Sequence, residues 1–281
     1  METSKSISVL SWNIMGKTWL FLDNTFFGEL SRSWVYKKVK IFLEQTKPDI
    51  ICLQEASQYL PQKIDKYLQE IDYNLVNNEN KKSNWNIIAS KFPIVNSGEV
   101  FLENGDGINS RRIKRYPSSC LWADCKIDKS LIRIYNCQFR IRGIGIQERI
   151  YFLNSILEHA QSTPHPVIIC GDMNTTIPKQ GFARKIVELV HNEPDSSMQS
   201  DGKYQPQDER FIFNSVAEKF GFQEILDLTR STWALPYTSW ELFRLKLDWF
   251  FIKNIECRKY SLGKYITDHR PIFAEILLDQ Q

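Results

Sequence analysis

Five short polar islands close apolar runs along this chain: Ser11-Trp12-Asn13, Leu53-Gln54-Glu55, Gly171-Asp172-Met173-Asn174, Leu247-Asp248-Trp249 and Thr267-Asp268-His269-Arg270-Pro271. Each supplies a carboxylate, an amide or an imidazole. Apolar strands that stop at such groups suggest a sheet presenting oxygen ligands along one edge. Clustered oxygen ligands suit a hard divalent cation. A cation beside a poised carboxylate and a histidine is equipped for phosphoryl chemistry.

Each island also has a plainer reading. Glu55 follows four apolar residues and Gln54, where a carboxylate is costly unless it meets solvent, a partner or a metal. Taken alone, a strand-end acid in water explains it. In Ile168-Ile169-Cys170-Gly171-Asp172-Met173-Asn174 the glycine lets the backbone turn closely. Asp172 and Asn174 share the period-two phase of a strand, so an acid that can take a proton and an amide that can hold an oxygen point the same way. The plainer account is an Asx turn. Asp248 lies inside Leu247-Asp248-Trp249-Phe250-Phe251-Ile252 and needs a donor, and His269, one of four histidines, is a natural one. If they pair, the carboxylate favours imidazolium and fixes its orientation. A protonated imidazole can stabilise charge building on a phosphate oxygen.

Elements that alternate between helix and strand must position these groups. Strands are expected at 6–13, 50–53, 75–76, 86–89, 100–102, 119–127, 131–139, 167–170, 246–252 and 270–278. Helices are expected at about 34–45, where Val35, Val39, Phe42 and Leu43 form a stripe, and at 59–71, 146–160, 179–191 and 209–220. Lys47-Pro48-Asp49 ends the first helix. The aromatic-rich stretch 18–34 has no clean period and reads as a packed segment, with an apolar rim suited to lipid as the other reading. The polar segment 192–207 reads as an exposed loop. Helix–strand alternation flanking a strand-rich middle implies stacked sheets with helices outside, an α/β sandwich forming one domain over 1–281.

Composition sets the bounds. With 42% hydrophobic and 13% aromatic residues, the chain can build a sizeable core. A net charge of +3 permits a polyanionic partner without demanding one. The six cysteines form no Cys-x-x-Cys pair, and Cys52, Cys137 and Cys170 sit in strand-like runs, so buried reduced thiols are expected. Neither a signal peptide nor a membrane span is evident, which makes the cytoplasm the expected compartment. Gly16-Lys17-Thr18 mimics the end of a phosphate-binding loop, but position 11 is serine where that loop needs glycine. The absence of a Gly-x-Ser-x-Gly elbow argues against a serine hydrolase.

In order, the five islands resemble the endonuclease/exonuclease/phosphatase superfamily of DNase I-like phosphoesterases, over nearly the whole chain from Asn13 to His269. The resemblance implies a four-layer α/β sandwich, with two packed, mostly antiparallel sheets flanked by helices. It implies Mg²⁺, with Mn²⁺ able to substitute, held chiefly by Glu55 with Asn13 and Asp268 near it. It further implies that Asp172 positions or deprotonates the attacking water, Asn174 helps hold it, His269 contacts the phosphate and Asp248 orients His269.

One departure matters. The family often carries Asn-x-His after the strand before the long helix, with that histidine assisting the leaving group. Here the segment is Tyr135-Asn136-Cys137-Gln138-Phe139-Arg140, and Gln138 takes the histidine's place. An amide can donate a hydrogen bond but cannot deliver a proton near neutral pH. The implied enzyme is therefore slow, favours a better leaving group, or uses another donor.

Substrate signals are sparse. Arg111, Arg112, Lys114 and Arg115, and then Arg140, Arg142 and Arg149, are either solvated charge or contacts to phosphate, with Arg115, Arg140 and Arg149 as the candidates. Trp233, Tyr237, Trp240 and Phe243 either stack on bases or form a core patch. The expected activity is hydrolysis of a phosphodiester in nucleic acid by a monomer. A phospholipid or inositol-phosphate headgroup is the second substrate class. A catalytically weak binding protein that kept the fold is the reading from another class.

Overall fold

The computed structural model describes residues 5–14, 26–56, 61–78, 86–101, 119–139, 146–175, 209–234 and 244–278. Two six-stranded mixed sheets stack face to face, with helices on both outer surfaces. The first sheet contains β1 (Lys5–Asn13), β2 (Ile50–Gln54), β3 (Asn74–Asn77), β4 (Ile87–Ser90), β13 (Glu256–Leu262) and β14 (Ile272–Leu278), in the spatial order β13-β14-β1-β2-β4-β3. The second contains β5 (Ile94–Phe101), β6 (Ser119–Ile127), β7 (Ser130–Gln138), β8 (Val167–Asp172), β9 (Gln223–Glu224) and β12 (Asp248–Lys253), in the order β5-β6-β7-β8-β12-β9. A two-stranded ribbon, β10 (Trp233–Ala234) and β11 (Arg244–Leu245), lies apart from both sheets.

Three apolar layers hold the stack together. Between the sheets pack Ile7, Val9, Ile50, Ile88, Ile134, Ile168, Phe250 and Ile276. Outside the second sheet, α3 (Ile146–Gln161) and α4 (Glu209–Lys219) bury Phe152, Ile156 and Phe213 against Phe139, Trp249 and Phe251. Outside the first sheet, α1 (Phe26–Thr46) and α2 (Pro61–Glu70) bury Val39, Leu43, Ile64 and Leu68 against Leu10, Trp12 and Leu53. Alternate residues of one strand thus serve different layers: Val9 faces the other sheet and Leu10 the helices. That is the expected four-layer α/β sandwich. No helix among the described residues is long and apolar enough to cross a membrane.

Each sheet is antiparallel except for one central parallel pair, β1 with β2 and β7 with β8. Parallel neighbours need a crossover, which α1 and α3 supply. The C-terminal ends of these four strands fall at one edge of the stack, where Asn13, Gln54, Gln138 and Asp172 stand in register: Asn13 opposite Gln54, Gln138 opposite Asp172. Strand β12 runs antiparallel to β8 and β14 antiparallel to β1, so their N-terminal ends reach the same edge.

Strand β5 is longer than the sequence suggests, the two-residue strands β9, β10 and β11 carry no sequence signal, and two larger elements also depart from expectation. Helix α1 begins at Phe26 rather than near Trp34, so the aperiodic aromatic stretch is partly its first turns. Strand β13 was not anticipated because it is an edge strand whose side chains are mostly exposed and carry no apolar alternation. The six cysteines are free thiols, five of them buried. The expected helix at 179–191, the loop at 192–207, Gly16-Lys17-Thr18, and Arg111, Arg112, Lys114, Arg115, Arg140, Arg142, Tyr237, Trp240 and Phe243 lie outside the described residues.

Candidate active site

The strand ends bring the eight predicted catalytic and metal-ligand side chains together, beginning with the half-buried Glu55. It follows β2 in the left-handed region at φ 53, a conformation that costs a non-glycine residue about 1 kcal/mol or more and tends to mark functional positions. Its Oε1 accepts from Asn13 Nδ2 at 3.2 Å and from Gln138 Nε2 at 3.3 Å. The same two amides donate to Asp172 Oδ2, at 2.9 and 3.2 Å. Two carboxylates from different sheets are therefore bridged by two carboxamides. The network fixes the orientation of Gln138: its N–H₂ faces the acids, since the opposite setting would press its carbonyl on them.

Asp172 ends β8 in the Asx turn of the plainer reading. Its Oδ1 accepts from Asn174 N at 3.0 Å, the Asx-turn bond, while Oδ2 faces the cluster. Asn174 lies past the strand at φ 50, so shared strand phase is not what brings the pair together. Instead Asn174 Nδ2 donates to Phe139 O at 2.6 Å. Gly171 makes the close approach of β7 and β8 possible. It sits at φ 130, and a Cβ there would lie 2.1 Å from the Cys137 carbonyl oxygen.

The antiparallel register sets Asp248 directly opposite Asp172. Like charges so placed repel, and the imidazole of His269 lies between them. Its Nδ1 bonds Asp248 Oδ2 at 2.8 Å and its Nε2 is 3.9 Å from Asp172 Oδ2. Burial opposes the imidazolium, but the carboxylates of Asp248, Asp268 and Asp172 outweigh it and hold the His269 pKa well above the ordinary range. Asp172 is pushed up to about 7: burial raises it most, the His269 charge opposes, and Asp248 and Glu55 raise it further. Asp268 is also raised, by burial, against the pull of His269 and of the Trp233 N–H.

A layer of buried amides supports the acids. Gln54 Nε2 donates to Asn136 Oδ1 at 2.6 Å, and Asn136 Nδ2 donates to the carbonyls of Leu53 and Ile87, both at 2.9 Å. Asn136 thereby bolts the second sheet to the strands that carry Glu55. Lys246, buried over the Trp249 ring, donates to Glu224 Oε1 at 3.4 Å and to the carbonyl of Asp248 at 3.3 Å. Asn136, Gln54, Thr232 and Lys246 carried no role in the sequence reading, because polar residues inside apolar runs are recognised only once their partners across the fold are known.

The donor set fits a hard cation. Among the described residues, the side-chain atoms of Gln138, Asn174 and Asp268 that are buried without a partner are Oε1, Oδ1 and Oδ1, all acceptors. Unpartnered buried oxygens call for a cation or a proton donor, and Gln138 touches Glu55 directly. Asp172, Asp248 and His269 also lie close enough to share an ion, their ligand atoms within 4.8 Å of one another. The 2.8 Å Asp248–His269 bond and the raised imidazole pKa instead make them an acid–imidazolium–acid series, with a proton where an ion would sit. Arg149 is held elsewhere, in a buried ion pair whose Nε donates to Glu209 at 2.7 Å and ties α3 to α4.

Comparison with known proteins identifies the family and the fold. The model of the endonuclease/exonuclease/phosphatase family matches residues 10–269. No curated protein matches at the level of sequence. Solved structures share the fold at low identity. The D. rerio TDP2 structure with a single-strand DNA product is 16% identical, with TM-score 0.63, over 98% of this chain and 100% of that one. ANGEL2, described as a 2′,3′-cyclic phosphatase, is 14% identical, with TM-score 0.69, over 97% and 95%. A Bacteroides thetaiotaomicron protein named for the same family is 15% identical, with TM-score 0.66, over 99% and 100%.

Proposed function

The chain belongs to the endonuclease/exonuclease/phosphatase family, whose members hydrolyse phosphoester bonds, and from that premise we propose a divalent-metal-dependent phosphodiesterase acting on nucleic acid. One observation carries the reading. A single buried oxygen, Asp172 Oδ2, meets the amides that also hold Glu55 and faces the imidazole that Asp248 holds.

Mg²⁺ or Mn²⁺, held by Glu55 with Asn13 and Asp268, would supply charge stabilisation at the phosphoryl oxygens. The side chains do the rest. Asp172, with its pKa held at about 7, accepts a proton from the attacking water near neutral pH. Asn174, whose Oδ1 is buried without a partner among the described residues, would hold that water. His269 presents a fixed positive N–H to the charge that builds on phosphate, and Asp248 keeps its ring oriented. Gln138 holds the two carboxylates in register and lends no proton to the leaving group.

Nucleic acid is the favoured substrate class because two neighbours of this fold carry such ligands: TDP2 a single-strand DNA product and ANGEL2 adenosine-2′,3′-vanadate. The test is a panel of abasic DNA, single-stranded DNA, RNA, phosphoinositides and sphingomyelin, with Mg²⁺, Mn²⁺ or EDTA, beside Asp172→Asn. Metal-dependent cleavage of nucleic acid that Asp172→Asn abolishes supports the proposal. Turnover of lipid alone moves the activity to headgroup phosphates, and no turnover on any substrate leaves a binding protein.

A further inference from the structure

The β10–β11 ribbon has no place in the chemistry above, yet it grips both arms of the acidic cluster. Thr232 Oγ1 accepts from the backbone N–H groups of Leu247 and Asp248, both at 3.0 Å. The Thr232 carbonyl accepts from Arg270 N at 2.8 Å, and Ala234 N donates to the carbonyl of Asp268 at 3.0 Å. Trp233 forms a β-bridge with His269. The ribbon thereby fixes the backbone on either side of Asp248 and of the Asp268–His269 pair.

Trp233 adds a side-chain contact. Its indole N–H donates to Asp268 Oδ2 at 2.9 Å, and the twin oxygen, Oδ1, is buried with no partner among the described residues. A carboxylate can turn about its last bond and expose either oxygen. An indole N–H is a donor only, so it pins one oxygen of the ionised acid and leaves the other to a ligand. Outer partners of this kind orient metal ligands, and losing one typically costs about tenfold to a hundredfold in metal affinity.

Resting on the metal-centre reading above, we propose that Trp233 is a positioning residue: its indole N–H sets the Asp268 carboxylate so that Oδ1 faces the divalent cation. Trp233 acts through Asp268 and not through bulk, which distinguishes it from an aromatic that only fills space. Mn²⁺ alone, titrated by electron paramagnetic resonance, reads the effect without turnover. Trp233→Phe keeps an aromatic ring and removes the donor, and its Mn²⁺ affinity should fall about tenfold or more. Asp268→Asn should weaken binding as well, and the double variant should bind no more weakly than Asp268→Asn alone, because the two changes break one contact. Benzothienylalanine at position 233, which replaces the N–H by sulfur in a ring of the same shape, should reproduce the loss should the phenylalanine variant fold poorly. Unchanged affinity in either donor-free variant, or losses that multiply in the double variant, would overturn the proposal while leaving the metal centre in place. A wild-type protein that binds no Mn²⁺ overturns both.

Discussion

Asp172→Asn should make the protein inactive and, above neutral pH, more stable. Asp172 is buried, faces Asp248 across the β8–β12 ladder and is held at about 7 instead of its ordinary 3.8. At about 1.4 kcal/mol per unit, ionising it inside the fold costs about 4 kcal/mol. The sign follows from proton binding. Between those two pKa values the unfolded chain has released the proton that the folded chain keeps, so this group's contribution to stability falls as pH rises. The contribution is complete below 3.8 and gone above about 7. Asparagine mimics the protonated acid at every pH and has no such slope. Urea denaturation in EDTA at pH 4, 6 and 8 is the assay. The two proteins should unfold together at pH 4, and the variant's midpoint should exceed wild type by about 1 M at pH 8, taking m as roughly 3 kcal/mol/M. A variant no more stable at pH 8, or equally stabilised at all three, would refute the reasoning that the fold stores strain in this carboxylate.

Three further outcomes follow from the same geometry. Asp248→Asn removes the leading carboxylate that sustains the imidazolium against burial, so the alkaline limb of activity should shift down by a unit or more in a pH–rate profile, with turnover falling about a hundredfold. Gly171→Ala drives a methyl to 2.1 Å from the Cys137 carbonyl at φ 130, and should leave little soluble protein on expression beside an Ala123→Gly control in β6 of the same sheet. Asn136→Ala unsatisfies the carbonyls of Leu53 and Ile87 together, and should lower stability by about 3 kcal/mol in urea denaturation at every pH.

Much of this was legible in the sequence because the site sits at strand ends. Glu55 and Asp172 stand just past apolar runs that end there, and Asp248 stands out as a carboxylate inside one. Helix α3 was read nearly to its ends because its apolar stripe is regular. What escaped was whatever depends on partners distant in sequence. The bolt between Gln54 and Asn136 joins positions 82 residues apart, and each alone is a polar residue in an apolar run. Register also stays hidden: nothing local shows that Asp172 will face Asp248, yet that pairing helps raise its pKa. Strand β13 escaped because an exposed edge needs no apolar alternation. Arg149, one of the candidate phosphate contacts, pairs with buried Glu209, and a guanidinium gives no sign of that partner in sequence.

The central claim is that Glu55 anchors a metal while His269, on the far side of Asp172, keeps a proton. Anomalous diffraction from crystals soaked in Mn²⁺ addresses both halves at once. The account predicts a Mn²⁺ peak against the Glu55 carboxylate, with the Asp248–His269 hydrogen bond intact and no metal between them. A peak bound by Asp172, Asp248 and His269 instead, or none beside Glu55 at saturating Mn²⁺, would contradict it.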